Sequence, residues 1–327
     1  MKHIMTLVLS LILLTSCDDG KEDQVILTDS SGNINQLSVI MPNDQWQGEI
    51  GEAVRKVLAA PVDGLPQQEP LFTISQMPPQ SFSGFARKNR IFLKIEKNGQ
   101  KGIRFLNDPF ARPQKGIVIA GKTNEEIIEI LEENSKKIIS LLKKTEIKEQ
   151  QRRISKSLMD DSKLEKNLGV SLDFPTAYRY AKEKEDFFWI RKDIPHGSME
   201  ILVYEVPMST ILKDTNLVAN IIAMRDSIGK AHIPGPVENS HMITEKAYAP
   251  YLFETEIDGK FAYETKGTWT VENFFMAGPF LNYAVVDEEN DRILVLEGFT
   301  FAPSAAKRDN MLELEAILRS AEILEEK

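Results

Sequence analysis

The chain has 327 residues, 42% hydrophobic and 27% charged, which excludes a disordered protein and describes an ordinary folded one. Its net charge of −9 comes from interspersed acidic and basic residues, which excludes the concentrated basic face that nucleic-acid binding favours. The same balance disfavours electrostatic docking to anionic lipid.

The chain opens on Met1-Lys2-His3, followed by a run from Ile4 to Leu14 that is apolar except for Thr6 and Ser10. That run is about half of the ~20 residues a membrane-spanning helix needs. A charged start, a short apolar core and small residues before a cut site describe a secretory leader over residues 1–16. Leu14-Thr15-Ser16-Cys17 resembles a lipobox, in which the cysteine takes a diacylglycerol and the leader is cut before it. The thiol of Cys17 is the one side chain there nucleophilic enough to accept the lipid, and it is the chain's sole cysteine. Two or more acyl chains, at ~0.8 kcal/mol per buried CH₂, hold a protein on a membrane almost permanently. With that thiol consumed, the mature chain has no disulfide.

An acidic tether over 17–36 follows, beginning Asp18-Asp19-Gly20-Lys21-Glu22-Asp23. An aspartate directly after the lipidated cysteine resembles an inner-membrane retention signal of enteric bacteria. A lysine followed by two acidic residues resembles the signal that sends lipoproteins to the cell surface in Bacteroidota. The two readings conflict and both stay open on the tether alone.

A first α+β block over 37–142 starts with a strand at Leu37–Met41. A helix over Trp46–Leu58 follows, with Ile50, Val54, Val57 and Leu58 on one face. Pro61-Val62-Asp63-Gly64-Leu65-Pro66 stops it. Strands are predicted at Leu71–Ile74, Ile91–Ile95 and Gly116–Ala120. Thr123-Asn124-Glu125-Glu126 is a capping box that starts a long helical signal. One uninterrupted helix from there to Gly169 would be ~65 Å long, so a bend or break is expected near Lys143–Gln150. A helical linker over 143–168 is so charged that it is expected to be largely exposed.

The second α+β block, 169–327, offers strands near Leu172–Tyr180, Phe187–Ile190 and Ile201–Val206, then a helix at Leu217–Ile228 ended by Gly229. Hairpins are predicted at Asp258-Gly259 and Glu289-Asn290. The last helix runs from about Ala305 to Leu324. Pro70-Leu71-Phe72 and Pro250-Tyr251-Leu252-Phe253 give a faint internal echo. The expected architecture is α+β: two blocks of mainly antiparallel sheet, each packed with helices on one face and joined by a long charged helix.

Four phrases carry a family resemblance: Trp46-x-Gly48-Glu49-Ile50-Gly51, Ala60-Pro61-Val62-Asp63-Gly64-Leu65-Pro66-Gln67, Arg225-Asp226-Ser227-Ile228-Gly229-Lys230-x-His232-Ile233-Pro234-Gly235-Pro236, and Glu297-Gly298-Phe299-x-x-Ala302-Pro303. They resemble a family of Bacteroidota lipoproteins labelled as a domain of unknown function. The resemblance covers nearly all of the mature chain and favours an outer-membrane or cell-surface location. It implies no activity, ligand or catalytic residue.

The chemistry of sites is sparse. There is no Gly-rich phosphate loop, no Gly-x-Ser-x-Gly elbow and no His-Glu-x-x-His helix. Of the three histidines after the leader, His196, His232 and His241, the last two lie near Glu238 and Glu245, but their spacing matches no metal motif. Asp63 and Glu69 flank a turn, where carboxylates serve as turn caps more often than as a glycosidase pair. Ser81 and Ser83 lie near Arg87 and Lys88 with no histidine close in sequence. Trp189 and Trp269 read as core, and Trp46 as the exposed tryptophan.

These readings assign no catalytic residue, no metal and no cofactor. They nominate Cys17 as the lipid-attachment residue and Trp46, Asp63, His232 and His241 as a binding surface on the loops 61–70 and 232–241. The expected function is that of a membrane-anchored cell-envelope lipoprotein that binds or assembles without catalysis. Its expected partners are the membrane, through the lipid, and an envelope protein or glycan, with no nucleic acid. The alternative is an envelope hydrolase or metal-dependent enzyme.

Overall fold

A computed structural model describes residues 27–324. The leader, Cys17 and the first part of the tether lie outside the described residues. The fold is α+β.

In the first block, β1 (Gln36–Ile40) leads through α1 (Asn43–Gln47) and α2 (Glu49–Leu58) to β2 (Thr73–Met77), β3 (Ile91–Lys97), β4 (Gly102–Asn107) and β5 (Lys115–Gly121). Then come α3 (Asn124–Glu133) and α4 (Ser135–Ile154). The helix predicted over 46–58 is two helices parted at Gly48, which is extended. Gly51 explains the parting: a Cβ there would lie 1.9 Å from the Trp46 carbonyl oxygen, so α1 folds back onto α2 only at a residue without a side chain.

The strands form one sheet in the order β2-β1-β3-β5-β4. The pairings β1–β2, β1–β3 and β3–β5 are parallel, and only β4–β5 is antiparallel. This corrects the antiparallel expectation for this block. The physical reason lies in the β1–α2–β2 crossover and in β3 and β5, whose near-continuous apolar runs suit a parallel sheet. Leu37, Val39, Leu93, Ile117 and Ile119 pack under Ile50, Val54, Ile127, Leu131 and Ile138 of the helices. On the reverse face Ile40 and Phe92 are covered by Phe82 instead of a helix.

The long helical signal breaks at Asn134, between α3 and α4, while α4 continues unbroken through 143–150. The exposure expected over 143–168 is uneven: Thr145, Glu146, Glu149, Ile154, Leu164 and Leu168 are buried, while Lys144, Lys148 and most residues from 155 to 167 are exposed. The buried charges have partners. Arg90 grips Glu146 with two hydrogen bonds of 2.7 and 3.0 Å, and Glu146 also accepts from the Asn35 amide at 2.6 Å. Glu149 accepts from Arg152 and Arg153 at 2.8 Å each.

The second block comprises α5 (Ser162–Leu168), β6 (Val170–Ser171), β7 (Arg179–Glu183), β8 (Phe187–Ile194), β9 (Gly197–Pro207), α6 (Ser209–Leu212) and α7 (Leu217–His232). It continues with β10 (Met242–Thr244), β11 (Tyr251–Ile257), β12 (Lys260–Val271), β13 (Phe274–Asp287), β14 (Arg292–Phe301), α8 (Arg308–Leu318) and β15 (Glu322–Ile323). Its main sheet is antiparallel throughout, ordered β10-β12-β13-β14-β9-β8-β7, with β11 beside β10 on β12. Asp258 and Gly259, with φ of +50° and +73°, make the predicted tight turn between β11 and β12.

Helices cover both faces of this sheet, not one. Ile201, Val203 and Leu296 face α5 and α8, while Leu202, Tyr204 and Val295 face α6 and α7. Gly229 lies inside α7 instead of ending it, because α7 presses on β10 there: a Cβ would fall 2.0 Å from the Met242 carbonyl oxygen. The echo between Pro70 and Pro250 has no counterpart in strand order or direction, since one sheet is mixed and the other antiparallel.

The two blocks pack on each other. The Glu69 carboxylate accepts from the Lys307 and Arg308 amides at 2.7 and 2.9 Å, so the first block caps α8 of the second. Asn35 donates to Asp309 at 2.9 Å, and Gln151 of α4 donates to the Ala316 carbonyl at 3.0 Å.

Candidate functional site

The four nominated surface residues do not converge. Trp46 is half-buried against the first core, with the Arg55 guanidinium 4.5 Å from its ring centroid and the same residue donating to its carbonyl. This corrects its expected exposure: α1 folds the ring down onto α2. His232 ends α7, stacked on Phe187 at 4.0 Å and 12°. Burial, then Lys184 and Lys182, pushes its pKa below the usual histidine value. Its ring is thus a neutral packing group at pH 7. His241 sits elsewhere, its Nδ1 3.4 Å from Glu272 Oε2. Among the described residues, no group of three or more His, Cys, Asp or Glu is gathered as a metal site requires.

The loop 61–70 is a clasp between the blocks and not a free surface. Gly64 has φ +82° and lies against β12, where a Cβ would come within 2.9 Å of Lys266 Cβ. Glu69 caps α8, and Arg308 donates back to the Pro70 carbonyl at 2.9 Å. Behind the clasp is a small, mostly apolar cavity of about 60 Å³ lined by Leu65, Leu71, Phe280 and Met311.

Asp63 lines this cavity and also borders a second space. Between α4 and the strands β11 and β12 runs an open groove of about 850 Å³. Its floor is a charge network. Buried Glu315 contacts Lys143 at 3.6 Å and Arg319 at 3.2 Å, and Glu264 binds Lys266 and Arg319. Burial alone would raise the Glu315 pKa, but Lys143, Lys266 and Arg319 hold it down to about 2. Burial likewise opposes the charge on Lys266, yet Glu315 and Glu264 keep its pKa raised. The floor therefore stays charged, with Lys143, Lys266 and Arg319 set against Glu264 and Glu315.

The walls differ. Lys136, Lys144 and Lys148 project along one side of α4, exposed and without an ion-pair partner among the described residues. Lys144 and Lys148 are four apart, a like-charge spacing that costs a helix a few tenths of a kcal/mol, roughly 0.2–0.5. Opposite them stands β11, an edge strand that lines the groove with Phe253, Glu256 and the turn residue Asp258; half-exposed Tyr251 lies farther along the strand, its ring parallel to Phe253 at 6.4 Å. Its hairpin closes on the pair Ile257–Lys260, so the bonded pairs are 257, 255, 253 and 251. Leu252, Glu254 and Glu256 then point their backbone N–H and C=O groups away from β12. A larger depression, about 1500 Å³, lies beside β14, but its guanidinium, Arg292, is already held by Glu205 at 2.6 Å and Asp287 at 2.9 Å.

Sequence reasoning missed this groove. The lysine spacing on α4 was its signal, but exposed helical lysines equally describe a solvated face.

The quoted family phrases are structural. Arg225 binds Glu297 in a fork at 2.7 and 2.8 Å, both fully buried, with Asn282 on the same carboxylate and the guanidinium 3.3 Å over the Phe280 ring. Gly298 lies where a Cβ would come within 3.0 Å of Leu314 on α8. These residues fasten α7 and α8 to the sheet.

Comparison with curated proteins gives no match. Among solved structures, the chain is similar to one titled "Crystal structure of LpqN involved in cell envelope biogenesis of Mycobacterium tuberculosis". That likeness has 13% identity and a TM-score of 0.29, over 48% of this chain and 83% of that one. A model described as a domain of unknown function (DUF8532) matches residues 30–155, and a second matches most of the remainder. The chain belongs to the family of that second model, the domain of unknown function DUF4837, matched over residues 156–320.

Proposed function

We propose that this protein is a lipid-anchored lipoprotein of the cell envelope, at the outer membrane or cell surface, that binds a partner without altering it. The partner is an acidic, extended segment of another envelope protein, seated in the groove between α4 and β11. The anchor rests on Leu14-Thr15-Ser16-Cys17 and on the short apolar leader before it. Among the described residues no helix is long and apolar enough to cross a membrane.

The observation that carries the binding reading is the row Lys136, Lys144 and Lys148, without acidic partners among the described residues of a chain whose net charge is −9. Local charge of the opposite sign to the whole steers an acidic ligand to that wall. The outward backbone groups of β11 supply the hydrogen bonds that an added strand needs, and Tyr251 and Phe253 supply apolar contact.

The test is a fluorescent peptide of alternating Glu and Val added to the full mature protein. Binding should weaken on raising salt and fall at least roughly tenfold in the triple variant Lys136→Glu/Lys144→Glu/Lys148→Glu. Melting should stay unchanged, since all three side chains are exposed. Equal binding by the variant refutes the groove. Metabolic palmitate labelling that survives Cys17→Ala refutes the anchor.

A further inference from the structure

Residues 28–31 join the first block beside two of its loops. The Arg112 amide donates to the Thr28 carbonyl at 2.9 Å, the Ser30 amide to the Arg112 carbonyl at 3.1 Å, and the Ser31 amide to the Lys88 carbonyl at 2.8 Å. Those loops pair aromatic rings with cations. Phe85, on the short 3-10 turn Gly84–Lys88, is 78% exposed, and the Lys88 ammonium lies 5.1 Å from its ring centroid. Phe110, partly exposed, has the Arg87 guanidinium 5.2 Å from its ring centroid and packs edge-on against Phe82 at 5.7 Å. Neither Arg87 nor Lys88 has a carboxylate partner among the described residues. Exposed Arg112 pairs with Asp108 at 3.1 Å. Farther along the same segment Arg152 and Arg153 share Glu149, and Arg153 donates to the Gly32 carbonyl at 3.4 Å. With Asp29 included, these five cations stand against three carboxylates, so the face keeps a positive excess although the whole chain is acidic.

We propose that Phe85 and Phe110, with Arg87, Lys88 and Arg112 around them, rest on the anionic headgroups of the bilayer that holds the Cys17 lipid. The inference rests on the anchor in the reading above. Two observations select the bilayer as the occupant of this face. The first is chain length. Thr28 follows Cys17 by eleven residues, at most about 40 Å of chain. A compact body of this size is roughly 50 Å across. The tether is too short to run round the body and turn its opposite side to the bilayer, so it holds the face beside which it enters. The second is charge combined with apolar contact. Cationic heads reach lipid phosphates while their stems and a neighbouring phenyl ring lie deeper, at the acyl boundary. The attraction fades within a Debye length, so it acts once the lipid has brought the face close. The acidity of the chain as a whole works against lipid docking but does not describe this face.

The experiment uses full-length lipidated Phe85→Trp in phosphatidylglycerol–phosphatidylcholine vesicles whose acyl chains carry bromine, a tryptophan quencher. Trp269 is buried, and Trp46 and Trp189 are half-buried within the folded body, so the parent protein provides the background. The added tryptophan should lose roughly half its emission or more, as a side chain at interface depth does, with the parent unchanged. Raising the salt should cut that quenching by roughly half or more, and so should adding Lys88→Glu. The Lys88 ammonium makes no hydrogen bond among the described residues, so its replacement removes none from the fold. Quenching indifferent to both salt and Lys88→Glu overturns the electrostatic contact. Protein that floats with the vesicles while the added tryptophan stays unquenched overturns the contact altogether and leaves the anchor standing. That is the outcome if the acidic tether, or an acidic segment of another protein, covers this face instead. Protein that does not float removes the anchor and the contact together.

Discussion

Glu315 illustrates how one buried carboxylate ties the two blocks. Lys143 of the first block and Lys266 and Arg319 of the second surround it, and they outweigh the burial that would otherwise raise its pKa, leaving it at about 2. A folded pKa below the ordinary 4.5 means that folding is favoured by the ionised form. That stability is fully present above about pH 4.5 and drains away as the pH falls towards 2. A shift of this size corresponds to about 3 kcal/mol. Urea unfolding of Glu315→Gln should therefore show a loss of about that size at pH 7, shrinking steadily between pH 5 and pH 2. A deficit that stays constant with pH would show that the carboxylate's charge is not what matters.

At the scale of elements, the clasp 61–70 makes a sharp claim. Glu69 bonds two amides at the start of α8, the end of a helix where a negative charge is most stabilising. Glu69→Ala should cost about 1–2 kcal/mol in melting experiments and speed amide exchange at Lys307 and Arg308. If the loop were a free surface, neither would change. The sequence showed the core strands well, since Ile91–Ile95 and Gly116–Ala120 are apolar runs that few other structures accommodate. It hid β4, because Gly102, Arg104 and Asn107 interrupt the alternation that marks a strand. It misplaced the break near 143–150, because charge alone cannot say whether Glu146 meets water or Arg90, 56 residues away in sequence. The groove was illegible for the same reason. Its exposed lysines come from one block and its aromatic, Phe253, from the other, and only packing brings them face to face.

For the whole molecule, the contacts between blocks decide how it unfolds. The segment before β1 is held by Arg90, which donates to the Asn33 carbonyl at 2.9 Å, and Asn35 then reaches α8. α4 carries Glu146 into the first block and Lys143 and Gln151 against the second, so it belongs to both cores. Breaking a buried pair strands its partner charge, at a cost of about 3–5 kcal/mol, so neither block can unfold without leaving such groups unpaired in the other. Heat unfolding of the mature protein should accordingly be a single transition, with matching calorimetric and van't Hoff enthalpies despite a length typical of two domains. Combining Glu69→Ala with Lys143→Ala and Gln151→Ala removes three of these ties without touching either sheet. The second block, with its eight-stranded sheet and helices on both faces, has the larger core and should then melt after the first. The expected signature is a split into two transitions, with the tryptophan signal of Trp189 and Trp269 following the later one. Two transitions already present in the unaltered protein would mean that the blocks are thermodynamically separate and that α4 merely bridges them.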